Sequence, residues 1–408
     1  MKLLPENIEH LKIAFSKMQS KEDFVGLLNY SNNLIYDEKA FHFDESQINR
    51  LSNVKIKPAH YNKFIIKKKT GEDRIIHAPS EEMKAIQKTI CLIFQAVFDV
   101  HPSATGFVSG KSIVNNAKMH VGNHYVYNID LKDFFPTITQ YRIFKRLQDS
   151  PFNLSNENAK IQLASLIANL CCHEVSVKRF VNGEWIEINK SVLPQGAPTS
   201  PMLSNIICNK LDFNLTELAK SFGLIYSRYA DDITFSSFHN VYQKDGEFLH
   251  ELHRIILHEG FYINERKTRL QKKEYKQEVT GLIVNEKVNI PSRYVKKLRM
   301  WLYLWEHYGY DKASEYFIPL YLKDKGNVKE RLPKMDTVID GKLSYLKMVK
   351  GETSSSYLKL KRRFDSLKLI NVNKNKIINH FDLLDEIANK VLSDITEEEQ
   401  AKIAKLGR

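Results

Sequence analysis

Residues 225–236 read Ile-Tyr-Ser-Arg-Tyr-Ala-Asp-Asp-Ile-Thr-Phe-Ser, two short apolar runs on either side of Asp231-Asp232. β-Branched and aromatic residues around a polar step predict a strand over 225–230 and a second over 233–236. Within a strand, adjacent side chains point to opposite faces, so a tight turn is needed to present both carboxylates together. Two such charges about 4 Å apart, at an effective dielectric near 20, repel by roughly 4 kcal/mol. A divalent cation offsets that repulsion, and Mg²⁺ favours carboxylate oxygens combined with substrate phosphates. Taken alone, the pair reads equally well as a solvated loop tip.

Other segments give the pair a context. At His124–Asp130, Tyr125, Tyr127 and Ile129 alternate with Val126, Asn128 and Asp130, which predicts a strand ending in a carboxylate on the face away from the tyrosines. Asp130 either supplies a third metal oxygen or caps a helix carrying Phe134 and Phe135. Residues 61–78 are two β-branched runs around Thr70-Gly71-Glu72-Asp73, a hairpin signature, and Ser80 then caps a helix with Met83, Ile86, Ile90 and Ile93 at helical spacing. A helix is expected over 158–172. Leu193-Pro194-Gln195-Gly196-Ala197-Pro198-Thr199-Ser200-Pro201 reads as a stiff loop open to close backbone approach, or as a plain turn before a helix. Leu203, Ile206, Ile207, Leu211, Leu215 and Leu218 then make one stripe ending at Gly223. Strands and helices mix without a βαβ rhythm, so the expected class is α+β.

The 408 residues carry a net charge of +13. Residues 287–376 hold 21 Lys and Arg against 9 Asp and Glu, so nearly the whole excess sits in one helical block, as expected of a surface that follows a phosphate backbone. No run is apolar enough to span a membrane, and Pro5, Glu6 and Glu9 interrupt the N-terminus, which does not read as a signal peptide. Cys91, Cys171, Cys172 and Cys208 form no C-x-x-C, which argues against structural zinc and for a reducing cytoplasm.

Together, Asn128-Ile129-Asp130-Leu131-Lys132-Asp133-Phe134-Phe135, the Gln195-Gly196 loop and Tyr229-Ala230-Asp231-Asp232 resemble the ordered palm motifs of reverse transcriptases. Residues 67–79 resemble the fingers hairpin, 260–268 a later block containing Lys267, and Val279-Thr280-Gly281-Leu282 the primer-grip turn. The resemblance covers about residues 55–290 in six ordered blocks. It implies a right-hand polymerase fold of fingers, palm with an antiparallel sheet, and helical thumb. It also implies two Mg²⁺ ions, with Mn²⁺ as a substitute, on Asp130, Asp231 and Asp232. Lys267 would be the general acid or an ordinary surface lysine. Phe135 would exclude a ribose 2′-hydroxyl, Gln195 and Gly196 would line the nucleotide pocket, and Arg74 with Lys67 or Lys69 would hold the triphosphate.

Asn116-Ala117-Lys118-Met119-His120, paired with Val279-Thr280-Gly281, resembles the signature of retron reverse transcriptases, which places Asn116, His120, Val279, Thr280 and Gly281 toward RNA. For His120 an ordinary helix-end hydrogen bond is the other reading. The likeness implies copying of a cognate structured non-coding RNA into single-stranded DNA joined to it, primed from an RNA 2′-hydroxyl, with dNTPs as substrates. It further implies a role in anti-phage defence beside an effector protein. Two other expectations stand beside it: a bacterial reverse transcriptase without branched priming or of intron-maturase type, and an RNA-binding protein that keeps the fold without catalysis. The expected division is an N-terminal helical extension (1–54), fingers and palm (55–290), a basic thumb (291–374) and an acidic amphipathic helix (375–408). In the thumb, Arg293, Lys296, Lys297 and Arg299, then Lys361, Arg362 and Arg363, are the candidate RNA contacts. Trp301, Tyr303 and Trp305 read as thumb core ahead of base-stacking platforms. The last helix reads either as a protein contact or as self-packing.

Overall fold

Three helices open the chain, each started by the chemistry of its first turn. α1 (Pro5–Lys17) has proline at its start, where no N–H is needed, and buries Leu11 and Phe15. Ser20 and Asp23 form a capping box on α2 (Lys21–Tyr36), as do Asp44 and Gln47 on α3 (Glu45–Ser52). The computed structural model describes residues 3–53, 57–67, 73–181, 184–325 and 332–370.

β1 (Tyr61–Lys67) and β2 (Asp73–Pro79) form the expected antiparallel hairpin, in register from Tyr61 opposite Pro79 to Lys67 opposite Asp73. Most of the turn read at 70–73, with Lys69, lies outside the described residues. Ser80 caps α4 (Glu81–Val97), accepting the Met83 N–H at 3.4 Å. The short α5 (Ile113–Lys118), capped by Ser112, leads to β3 (Tyr125–Asp130). After α6 (Phe134–Thr137) come α7 (Gln140–Gln148) and α8 (Asn158–Cys171).

β4 (His173–Val181) and β5 (Glu184–Val192) then form a nine-residue antiparallel ribbon that the sequence reading above leaves unassigned. The apolar stripe read as one helix after Pro198 is two, α9 (Ser200–Ile207) and α10 (Asn209–Ser221), because the chain flattens at Cys208 (ψ −1°). β6 (Ile225–Tyr229) and β7 (Asp232–Ser237) are the hairpin expected around the aspartates. α11 (Glu247–His258), β8 (Arg269–Lys272) and a small hairpin of β9 (Glu278–Val279) and β10 (Leu282–Ile283) complete this part.

The central sheet runs in the order β6-β7-β3-β8, every pair antiparallel. One core gathers side chains from Leu11 to Phe261, so the N-terminal helices are built into the same core as the sheet. Phe152 joins them, its ring 6.0 Å from Phe15, 5.5 Å from Phe94 and 5.9 Å from Phe98. All four cysteines are free thiols.

The chain divides into two compact units, Met1–Asn289 and Ile290–Arg408. In the second, α12 (Ser292–Lys325) is broken at Gly309, whose φ of 79° and ψ of 169° are outside the helical region. α13 (Met335–Lys350) and a further helical stretch over 355–370 follow. Trp301 packs on Phe317 and Trp305 on Phe364, so both tryptophans are core, whereas Tyr303 is half exposed and lies against His307. The acidic segment over 375–408 lies outside the described residues. No helix among the described residues is long and apolar enough to cross a membrane.

Phe15→Ala is expected to cost about 3–5 kcal/mol, the range for emptying a buried aromatic site. Chemical denaturation of the full chain reads this directly; an unchanged midpoint contradicts the inclusion of α1 in the first unit's core.

Candidate active site

Strand pairing brings the acidic residues together. Asp130 ends β3 directly opposite Asp232, the first residue of β7, so both side chains leave the same face of the sheet. Asp231 sits in the turn that joins β7 to β6, and the Leu131 N–H donates to its carbonyl at 3.0 Å. The turn is made by Ala230 at φ +58°, a left-handed conformation that costs an alanine on the order of 1–2 kcal/mol.

The carboxylates are short of positive charge. Burial, with the charge of Asp130 added, raises the Asp231 carboxyl above its ordinary value, against the pull of its own backbone N–H, Lys267 and Arg74. Desolvation by the cleft, then the like charges of Asp231 and Asp130, push Asp232 up to about 6. Solvent reaches Asp232, so screening softens that repulsion. Lys267 donates to Asp130 Oδ2 at 2.8 Å, and Asn264 Nδ2 donates to Oδ1 at 3.0 Å. Burial would lower Lys267, but the hydrogen bond to Asp130 and the field of all three aspartates outweigh it and raise the ammonium.

Among the described residues, no three His, Cys, Asp or Glu side chains are placed to hold a metal by themselves. Mg²⁺ characteristically takes one or two carboxylates and completes its shell with water and substrate phosphate. An all-oxygen acidic set in which Asp231 and Asp232 are raised despite the nearby cations Lys267, Arg74 and Arg269 fits such an ion.

An open cleft of about 580 Å³ is lined by Asp130 and Asp232 of this cluster, while Asp231 is not part of its lining. It brings together Asp130, Asp232, Lys267, Thr280 and Gly281 from the expected set, and adds Arg266 and Arg269, which carried no assigned role in the sequence. Thr280 (φ 47°) and Gly281 (φ 81°) form the tip of the β9–β10 hairpin, a turn with both central residues left-handed. Asn264 is likewise a contact that sequence reasoning missed. Its position within the 260–268 block is the signal that was available.

Other expected residues lie outside the cleft lining. Phe135 is half-buried, its ring 6.2 Å from Phe107 and 5.3 Å from Phe134. The Gln195 carbonyl accepts the His77 N–H at 2.9 Å, which ties the proline-rich loop to β2. Gly196 (φ +124°) lies so close to β2 that a Cβ there would sit 2.8 Å from Ile76 Cγ2 and 2.9 Å from the His77 carbonyl. Arg74 is exposed on β2, and Lys67 pairs with Asp73 at 2.7 Å.

Three expected RNA contacts need correction. Asn116 and His120 are fully buried, as is Val279. Asn116 Oδ1 accepts from the Thr105 hydroxyl at 2.8 Å. The two ring nitrogens of His120 each lie 2.7 Å from a serine hydroxyl, Ser236 on β7 and Ser227 on β6. The histidine therefore ties β6 to β7 within the hairpin, and its fully buried side chain is closed to RNA.

In the second unit Arg293, Lys296, Arg299 and Arg362 are exposed. Lys297 pairs with Asp324, Lys361 with Asp365 at 2.6 Å, and Arg363 grips Glu306 through two nitrogens. Single-contact surface pairs such as Lys297–Asp324 and Lys361–Asp365 are worth about 0–1 kcal/mol, whereas the bidentate, partly buried Arg363–Glu306 pair is held more firmly.

The family profile described as "Reverse transcriptase (RNA-dependent DNA polymerase)" matches residues 66–284. The chain is 34% identical over 258 residues to the Retron Ec86 reverse transcriptase of Escherichia coli, spanning 62% of this chain and 72% of that protein. It is 36% identical over 256 residues to the Retron Mx162 reverse transcriptase of Myxococcus xanthus, covering 59% and 51% of the two. Among solved structures, a telomerase from Candida albicans in complex with a telomeric RNA fragment aligns with a TM-score of 0.39 at 10% identity, over 75% of this chain and 63% of that one.

Burial depresses the His120 imidazolium to about 3, while an unfolded histidine takes its proton near 6.5. The unfolded chain then binds the extra proton first, so stability from this group is complete above pH 6.5 and falls as the pH drops toward 3. The stability advantage of the wild type over His120→Gln should shrink by about 3 kcal/mol between pH 7 and pH 4. Paired denaturation curves check this; a constant difference contradicts the buried neutral ring.

Proposed function

The chain belongs to the retron-type reverse transcriptases, and from that membership we propose that it copies a cognate structured non-coding RNA into single-stranded DNA, primed from a 2′-hydroxyl of that RNA. It is an RNA-directed DNA polymerase of right-hand architecture. The observation that carries the proposal is the register of Asp130 opposite Asp232, at the closed end of the hairpin whose turn holds Asp231. In this reading the three carboxylates hold two Mg²⁺ ions, Mn²⁺ serving in their place, with Asp130 and Asp231 as main ligands. When bound, the ions activate the attacking hydroxyl and neutralise the leaving pyrophosphate.

The chain's own residues supply the remaining work. Lys267, whose ammonium lies 2.8 Å from Asp130 Oδ2, would give a proton to the leaving group. Arg74, with Lys67 or Lys69, holds the triphosphate. Gln195 and Gly196 line the nucleotide pocket, and Gly196, having no Cβ, lets their loop pack directly on β2. Phe135 fills the space of a ribose 2′-hydroxyl. Thr280-Gly281 meets nucleic acid at the cleft, while Asn116, His120 and Val279 support the framework. In the second unit Arg293, Lys296, Arg299 and Arg362, together with Lys297, Lys361 and Arg363 once freed from their carboxylate partners, follow RNA phosphates by charge and shape. A cytoplasmic setting, a defence role and an effector partner belong to the same proposal.

Two variants test the chemistry. Asp231→Asn and Asp130→Ala should abolish DNA synthesis by primer extension and leave RNA affinity within about twofold, since RNA is gripped by phosphate contacts elsewhere. Retained synthesis in either contradicts the ligand assignment, and an inactive wild type that still binds RNA favours an RNA-binding protein. Phe135→Ala should admit ribonucleotides, and unchanged sugar selectivity removes the gate. Sequencing the nucleic acid that copurifies decides the priming mode: a 2′–5′ branch supports the retron reaction, and unbranched DNA supports the other bacterial class.

A further inference from the structure

Arg228, two residues before Ala230, is the bulkiest fully buried side chain of the described residues, and its charge is fully engaged. Its Nε donates to Asp212 Oδ1 at 2.7 Å, and Nη2 donates to Asp212 Oδ2 at 2.6 Å. Nη2 also reaches Asn205 Oδ1 at 3.2 Å, and Nη1 donates to the Ala230 carbonyl at 3.1 Å. Tyr226 adds a hydroxyl to Asp212 at 2.7 Å. The guanidinium thus spans from α9 and α10 to the backbone of the turn that carries Asp231.

A second contact clamps the same turn. A Cβ on Gly106 would lie 2.5 Å from the Ala230 nitrogen and 2.9 Å from the Tyr229 carbonyl carbon, so that residue's backbone presses directly on the turn. Asn205 Nδ2 holds the Gly106 carbonyl at 3.0 Å. The neighbouring segment is pinned to the Arg228 backbone, because Thr105 N–H donates to the Arg228 carbonyl at 2.8 Å and Arg228 N–H to the Ser103 carbonyl at 2.9 Å. Asn205 therefore touches both halves of the clamp. An alanine does not hold a left-handed conformation unaided, and strained backbone persists where its surroundings over-determine it.

We propose that Arg228 is a positioning residue for nucleotide transfer: fixed on Asp212 and Asn205, it holds the Ala230 carbonyl and so sets the left-handed turn that aims Asp231. The proposal rests on the reading of Asp231 as a metal ligand. Lysine keeps the charge but lacks the planar fork that reaches Asp212, Asn205 and Ala230 together. A shift of about 1 Å in a reacting group is worth about 10²-fold in rate.

The test is steady-state primer extension on the full chain, with kcat given per folded molecule from circular dichroism. Arg228→Lys should lower kcat by about 10²-fold, leave KM for dNTP within about twofold, and raise the half-saturating Mg²⁺ concentration several-fold. Asn205→Ala keeps the Arg228–Asp212 pair, should fold even where Arg228→Lys does not, and should show the same pattern with about a tenfold loss. In Arg228→Lys, adding Ala230→Gly should restore part of kcat, since glycine adopts the left-handed turn without strain. A kcat per folded molecule equal to wild type in both Arg228→Lys and Asn205→Ala overturns the proposal, as does a defect confined to KM. Synthesis retained by Asp231→Asn overturns the underlying metal-ligand reading instead, so the two failures are distinguishable.

Discussion

Like charges resist being placed together, and the first unit is organised around forcing them to be. Asp130 and Asp232 face each other because β3 and β7 are antiparallel neighbours that end at the same level. Asp231 joins them because Ala230 turns the chain left-handed. Burial and mutual repulsion leave the carboxyl groups of Asp231 and Asp232 raised, a condition that a cation with oxygen ligands relieves. The cost of the arrangement is borne by its supports: the Arg228–Asp212 pair, the His120 tie between β6 and β7, and the backbone of Gly106 against the turn.

Those supports are polar and buried, which makes them sensitive points. A buried ion pair is a weak source of net stability, but losing one partner leaves an uncompensated charge and costs about 3–5 kcal/mol. The more informative property is directional. Arg228 offers several donors in a fixed plane, and every one named above ends on α9, α10 or the turn. Such a fork specifies where a backbone carbonyl lies, which an apolar side chain of similar size would not do.

Much of this was legible in the sequence, for reasons that are local. Alternation at 125–130 and 225–236 fixes strand faces, Ser80 and the residues after it mark a helix start, and the acidic turn is visible as adjacent aspartates. The supports were not legible. Arg228 in an alternating strand reads as a solvent-facing residue until Asp212, sixteen positions earlier, is seen to neutralise it. Asn116 and His120 were assigned to RNA, yet the partners that bury them, Thr105, Ser227 and Ser236, come from distant segments. The ribbon of β4 and β5 passed unassigned although Asn182-Gly183 between alternating residues is a hairpin signal, and the break at Cys208 has no glycine or proline to mark it.

The central claim is that carboxylates far apart in the chain share a pair of divalent cations, and backbone cleavage by hydroxyl radicals from bound iron reads it most directly. With Fe²⁺ in place of Mg²⁺, in the presence of ascorbate and peroxide, the account predicts cuts in both the segment around Asp130 and the Tyr229–Asp232 turn, competed away by excess Mg²⁺ and absent in Asp231→Asn. Cuts at only one of the two segments, or none that Mg²⁺ suppresses, would contradict it.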